Sequence, residues 1–131
     1  MKGLIMLDKD KIRELLIDDV HSDVDARRYF EQNLSNKELL DMLVDFAIDD
    51  YSSDASMTAA YWISRFSKEL LYGIENRLLE LQTNELDNIA VHILVALGKI
   101  KSKDGLKYLI EKRIAPRLGW EAEALMYYLN A

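Results

Sequence analysis

Carboxylates recur at helical spacing between residues 38 and 49, and this stripe is the first feature that could do chemistry. Glu38, Asp41, Asp45 and Asp49 fall within an arc of about 80° on a helical wheel. Apolar residues fill most other positions of 39–48. Carboxylates four residues apart destabilise a helix by about 0.2–0.5 kcal/mol per pair. The stripe is therefore locally unfavourable, and a docking surface for a basic partner would explain it.

A solvated helix face is the alternative interpretation of this stripe. In that case the carboxylates are partly paired with Arg27, Arg28 or Lys37. The docking interpretation rests on charge complementarity, which speeds encounter and selects partners more than it sets affinity. The residue pattern leaves both interpretations open.

A second acidic group surrounds His21 and contains Asp18, Asp19, Asp23 and Asp25. We expect these four carboxylates to extend the partner-binding surface. An oxygen-rich metal site, as in a metal-dependent hydrolase, is a lesser alternative. The segment lacks the glycine and the closing glutamate of an EF-hand loop. The sequence therefore predicts no metal site and no cofactor here.

Other catalytic chemistry has little support in the sequence. The chain has no cysteine and two histidines, which excludes disulfides and Cys-based zinc sites. His92 shares a wheel face with polar residues, so we expect it to face solvent and not to act in catalysis. There is no glycine-rich phosphate loop and no nucleophile elbow. The sequence therefore predicts a protein that is not an enzyme.

The main basic cluster contains Lys99, Lys101, Lys103 and Lys107. A phosphate- or nucleic-acid-binding patch would add arginine and interleaved aromatic side chains. Because the local sequence lacks these, we interpret the cluster as a solvated turn.

The overall charge is unevenly distributed along the chain. The 131 residues include 17 basic and 23 acidic residues, for a net charge of −6. The first 60 residues carry 7 basic and 14 acidic residues, net −7, and the remaining 71 carry 10 and 9, net +1. Net acidity argues against nucleic-acid binding, and its asymmetry indicates an interaction surface. No apolar run suits a signal peptide or a membrane span, so we expect no membrane association and a cytoplasmic location.

Apolar periodicity predicts an all-α fold of seven or eight helices in one domain, 1–131. Ser35 and Glu38 form a capping-box pattern, and Pro116 ends a helix. The predicted helices cover 8–19, 23–34, 35–50, 54–66, 67–81, about 84–100, about 102–114 and 119–129.

The segment 88–114 resembles a HEAT-type helical repeat. The resemblance is carried by the Ala-Leu-Gly step at 96–98, a polar turn at 101–104 and leucines in the following helix. It is clearest within 84–131, and it implies antiparallel hairpins stacked in a short right-handed α-solenoid. In such a hairpin, small Ala96 and Gly98 permit close approach. The residues expected to fill the seam are Leu97, Leu106, Leu109 and Ile110.

The size, acidity and helical character of the chain also resemble those of bacterial immunity proteins, which neutralise the toxin encoded beside them. This resemblance implies a protein-binding module whose partner is a basic protein such as a nuclease toxin domain. A HEAT-like scaffold or adaptor in an endogenous complex is the alternative. A metal-dependent hydrolase is the least supported of the three.

Overall fold

The computed structural model describes residues 7–48, 53–82, 87–112 and 119–130. These residues form nine helices and no strand, which confirms the all-α prediction. Eight of the nine have eight residues or more. In chain order they are α1 Lys9–Val20, α2 Val24–Glu31, α3 Lys37–Ile48, α4 Ser53–Ile63, α5 Lys68–Tyr72, α6 Glu75–Gln82, α7 Asp87–Lys99, α8 Lys103–Lys112 and α9 Gly119–Leu129.

Side-chain caps set several of the helix starts. The Asp8 carboxylate accepts the Asp10 and Lys11 N–H groups at 2.9 and 3.3 Å at the start of α1. The sequence offers Ser102 or Asp104 as the cap of α8, and in the structure the Ser102 hydroxyl accepts the Gly105 N–H at 3.1 Å. Each cap supplies an acceptor to an N–H group that has no partner within its helix.

The cap of α3 lies one residue later than the sequence predicts. Asn36 accepts the Leu39 N–H at 3.1 Å through its side chain, and its carbonyl accepts the Leu40 N–H at 3.1 Å. The prediction of Ser35 as the cap is therefore wrong. Asparagine and serine are comparable N-caps, so the pattern alone does not choose between adjacent candidates.

The single helix predicted over 67–81 is two helices, α5 and α6, separated by a turn. The Gly73 and Ile74 N–H groups donate to carbonyls three residues earlier, at 3.2 and 3.1 Å. Leu71, Ile74 and Leu78 are all buried, so the apolar period continues across the break. This continuity explains why periodicity did not reveal the turn.

Four helices form a continuous series of contacts through the fold. Helix α1 contacts α4, α4 contacts α7, and α7 contacts α9. Helix α3 packs against α4, α6 and α8 pack against α7, and α2 packs against α1. The main core cluster runs from Ile12 to Ile100 and includes Phe30, Trp62 and Phe66.

Helix α7 is the centre of the fold and shows almost no exposed face. It contacts α4, α5, α6, α8 and α9, and residues 91–98 are all buried. The prediction that His92 faces solvent is therefore wrong, since only 6% of the residue is exposed. The prediction failed because a helical wheel assigns a solvent side to every helix. The described side chains of α7 form no such side.

Two glycines permit the close approach of α7 to its C-terminal neighbours. A Cβ on Gly98 would lie 2.8 Å from the Ala124 carbonyl oxygen of α9, and a Cβ on Gly105 would lie 2.8 Å from the Leu97 Cβ. Gly98 thus serves the contact with α9, and Gly105 serves the hairpin with α8. The predicted seam position of Ile110 is wrong, because 63% of that residue is exposed.

Candidate partner-binding surface

The α3 carboxylate stripe, here Glu38, Asp41 and Asp45, lies at the surface. Glu38 is exposed, and the side chains of Asp41 and Asp45 are 45% and 62% exposed. The opposite side of α3 is buried in the core, so the helix shows solvent a narrow band rich in carboxylates. Asp49, the fourth predicted member, lies outside the described residues.

Arg77 of α6 is the counter-ion that sequence reasoning missed. Its Nη1 lies 3.0 Å from Asp41 Oδ1, and its Nη2 lies 3.4 Å from Asp45 Oδ1. The guanidinium offsets the repulsion between the two aspartates, although exposed pairs of this kind contribute only about 0–1 kcal/mol. One positive charge serves two carboxylates, so the stripe keeps a net negative charge. The pairing spans 36 residues, and no local pattern reveals it.

Asp19 does not belong to an exposed acidic surface. It is 6% exposed, and its carboxylate accepts the Trp62 indole N–H at 2.8 Å and the Arg27 Nε–H at 3.4 Å. These contacts join α1, α2 and α4 and satisfy a buried charge, as a buried carboxylate requires. We therefore correct the sequence-based assignment of Asp19 to the docking surface.

The other three members of the second acidic group reach solvent. Asp23 is exposed and caps α2 by accepting the Ala26 N–H at 2.9 Å. The Asp25 side chain is 92% exposed and lies 3.6 Å from Arg28. Asp18 is half-buried. Within the described ranges, no three His, Asp or Glu side chains are grouped so that they could hold a metal ion.

A further acidic row lies on α1 and was not singled out from the sequence. Asp10, Glu14 and Asp18 follow one another at intervals of four residues and line a shallow depression of ≈ 450 Å³. Asp8, Lys11 and Leu15 complete its wall. The four-residue spacing is visible in the sequence and predicts this row directly. We call Asp10, Glu14 and Asp18 the α1 carboxylate row.

Both acidic features are on helices that pack against α4. Each offers carboxylate oxygens that accept hydrogen bonds from arginine and lysine, the stronger charge-assisted kind. Near the stripe, Lys9 Nζ lies 5.6 Å from the centre of the Phe46 ring, so that cation also packs on the protein. The arrangement suits long-range attraction of a positively charged surface.

No protein-family model, curated protein or solved structure matches this chain. None of the helices in the described part of the chain combines the length and the apolar character needed to cross a membrane.

Proposed function

We propose that this chain is a protein-binding module that binds a basic protein through the acidic surfaces of α1 and α3. In its most specific form, the module is an immunity protein that neutralises a toxin domain by binding it. The exposed α3 carboxylate stripe is the observation that carries the proposal. The core-facing side of the helix is buried through Leu39, Leu40, Leu43, Val44, Phe46 and Ala47, so the carboxylates on the solvent side are not needed for packing.

The charges around the stripe support this proposal. Arg77 contacts Asp41 and Asp45 but is itself 39% exposed, so a partner's arginine or lysine can share the same carboxylates. The α1 carboxylate row and exposed Asp23 and Asp25 add negative charge nearby in the same N-terminal part of the chain. A nuclease must attract phosphates through a positive cleft, and an acidic inhibitor is complementary to such a cleft.

We also propose that the helices form a HEAT-like stack. The contacts of α4 with α7 and of α7 with α9 support this proposal. Phe66, Leu97 and Tyr128 are spaced 31 residues apart; Leu97 and Tyr128 lie in the last turns of α7 and α9, and Phe66 follows the end of α4 by three residues. Equivalent residues at equivalent places in adjacent helices are typical of helical repeats. Repeat stacks present extended surfaces for binding other macromolecules.

A scaffold or adaptor is the second candidate, favoured by apolar side chains on the last two helices. Leu125, Met126 and Leu129 of α9 are 41%, 56% and 71% exposed, and Ile110 of α8 is also exposed. Exposed apolar clusters mark interaction sites. An adaptor that binds through this end would use a surface separate from the α3 stripe.

The test compares two double variants that change the net charge equally. Asp41→Asn/Asp45→Asn neutralises the stripe, and Glu69→Gln/Asp104→Asn neutralises two exposed carboxylates on α5 and α8. The full chain captures its partner from native cytosol, and calorimetry with the purified partner follows. We expect the stripe variant to weaken binding about tenfold or more. We expect the control variant to bind as the wild type does.

Equal affinity of the stripe variant and the wild type would remove the stripe from the mechanism. The affinity of the wild type should also fall with added salt, because screening weakens attraction between exposed charges. Co-expression separates the two candidate functions. An immunity protein rescues cells from one toxin domain and loses this rescue in the stripe variant, whereas an adaptor gives no rescue.

A further inference from the structure

A cleft with a basic wall lies within the described part of a chain whose net charge is −6. The cleft has a volume of ≈ 610 Å³ and lies where the turn between α2 and α3 meets the turn between α4 and α5 and the carboxyl ends of α7 and α9. Its basic side chains are Arg65, Lys68, Lys99 and Lys101. Two of these lysines belong to the cluster that the sequence analysis interpreted as a solvated turn.

The fold adds to these lysines the groups that a phosphate site requires and the local sequence lacked. Arg65 supplies a guanidinium, and Tyr127 supplies aromatic surface. Ser35 and Ser67 add hydroxyl groups to the wall. Lys103 and Lys107, the other members of the sequence cluster, do not line the cleft. The cleft is therefore assembled from segments that are distant in the sequence. The lysine cluster contributes only Lys99 and Lys101 to its wall.

Contacts with the protein hold three of the four cations in place. Lys99 Nζ donates to the Phe66 carbonyl at 2.7 Å, and Lys101 Nζ donates to the Tyr127 carbonyl at 2.7 Å and to the Asn130 carbonyl. Arg65 Nη2 lies 2.8 Å from Glu123 Oε2. An ammonium group has three donors, so both lysines retain capacity for a ligand. Positions fixed in advance lower the entropy cost of binding.

The formal charges around the cleft remain positive after these contacts are counted. Glu31 lines the wall and Glu123 pairs with Arg65, which leaves an excess of two positive charges. Burial, followed by the charge of Arg65, lowers the pKa of the Lys99 ammonium, whereas Glu123 raises it. A bound anion would relieve the repulsion between the two cations.

We propose that this cleft binds a small ligand that carries a phosphate group. Arginine and lysine are the side chains that recognise phosphate, and hydroxyl groups complement them. The volume lies within the range of about 300–1,000 Å³ that is typical of small-molecule sites. The net charge of the whole chain and Glu31 on the wall both oppose a long polyanion. These observations favour a compact phosphorylated molecule over nucleic acid.

The test titrates the full chain with inorganic phosphate, ATP and a single-stranded RNA oligomer at constant ionic strength. We expect saturable binding of phosphate and ATP at the same site, with NMR shifts at the backbone amides of Ser67 and Lys68. Lys68 is exposed, so Lys68→Glu should fold normally and weaken ATP binding about tenfold. Lys99→Gln should weaken it by a similar factor. Lys103→Gln/Lys107→Gln is the control and should bind ATP unchanged.

Three results would overturn this proposal. The first is the absence of saturable phosphate or ATP binding up to about 10 mM. The second is an equal loss of ATP affinity in Lys68→Glu and in the Lys103/Lys107 control, which would indicate a general charge effect. The third is RNA binding far tighter than ATP binding, which would identify the cleft as a nucleic-acid site. If Lys99→Gln does not fold, Lys68→Glu alone decides the question.

Discussion

His92 makes the stability of the fold depend on pH, because its imidazole is buried in the central helix. It lies edge-on to Tyr61, with ring centres 5.6 Å apart. Burial, followed by the charge of Arg65, lowers the pKa of His92 from 6.5 to about 4. The folded chain therefore holds this side chain neutral at pH values where the unfolded chain already protonates it.

The magnitude follows from the two pKa values. Between pH 6.5 and about 4, the unfolded chain binds more protons at this site, so the free energy of unfolding falls as the pH falls. The full shift corresponds to about 3 kcal/mol, and about 2 kcal/mol of this is lost between about pH 7 and pH 5. A loss of this size is a large fraction of the typical stability of a single domain.

Urea unfolding at a series of pH values measures this loss directly. Acidification changes the charge of the whole chain, so the informative quantity is the difference between wild type and His92→Gln. We expect the variant to lose about 2 kcal/mol less than wild type on acidification to about pH 5. His21→Gln is the matched control, since it removes a histidine whose side chain is 70% exposed. If His92→Gln and wild type show the same pH dependence, the reasoning about His92 is refuted.

Two further predictions concern contacts between helices, and urea unfolding at neutral pH checks both. Trp62→Phe removes the indole donor to the buried Asp19 carboxylate and should lower the free energy of unfolding by about 1–3 kcal/mol. A loss below about 0.5 kcal/mol would mean that this hydrogen bond does not stabilise the fold. Gly98→Ala should lower the free energy of unfolding by about 1–3 kcal/mol, because the added Cβ would lie 2.8 Å from the Ala124 carbonyl oxygen. This loss should outweigh the gain from the better helix propensity of alanine. Gly73→Ala is its control, since the Cβ there would meet its nearest neighbour at 3.4 Å; equal losses in the two variants would contradict the packing argument.

Local patterns predicted the parts of the fold that depend on neighbours in sequence. The all-α class and most helix positions follow from periodicity. The Ser102 cap of α8 follows from the preference of serine for that position. The choice of Asn36 over Ser35 and the turn at Gly73 depend on small local differences, and periodicity does not detect these.

The features that sequence reasoning missed depend on contacts between distant segments. The buried Asp19 carboxylate accepts a hydrogen bond from Trp62, 43 residues away, and Arg77 pairs with the α3 stripe from 36 residues away. His92 is buried because helices pack around α7 on several sides. A wheel plot contains none of this information, since it treats each helix as if it had one core side and one solvent side.

The two proposed sites lie next to each other along α3, and their opposite charges limit how a basic partner can dock. Ser35, which precedes α3, lines the basic cleft, and Glu38, the first residue of the stripe, lies in the first turn of α3. A basic surface that reached past Glu38 would meet Lys68 and Arg65 and be repelled. For the basic partner proposed above, attraction along the stripe and repulsion at its end would together select one docking position, because specificity depends on penalties for wrong placements as well as on favourable contacts.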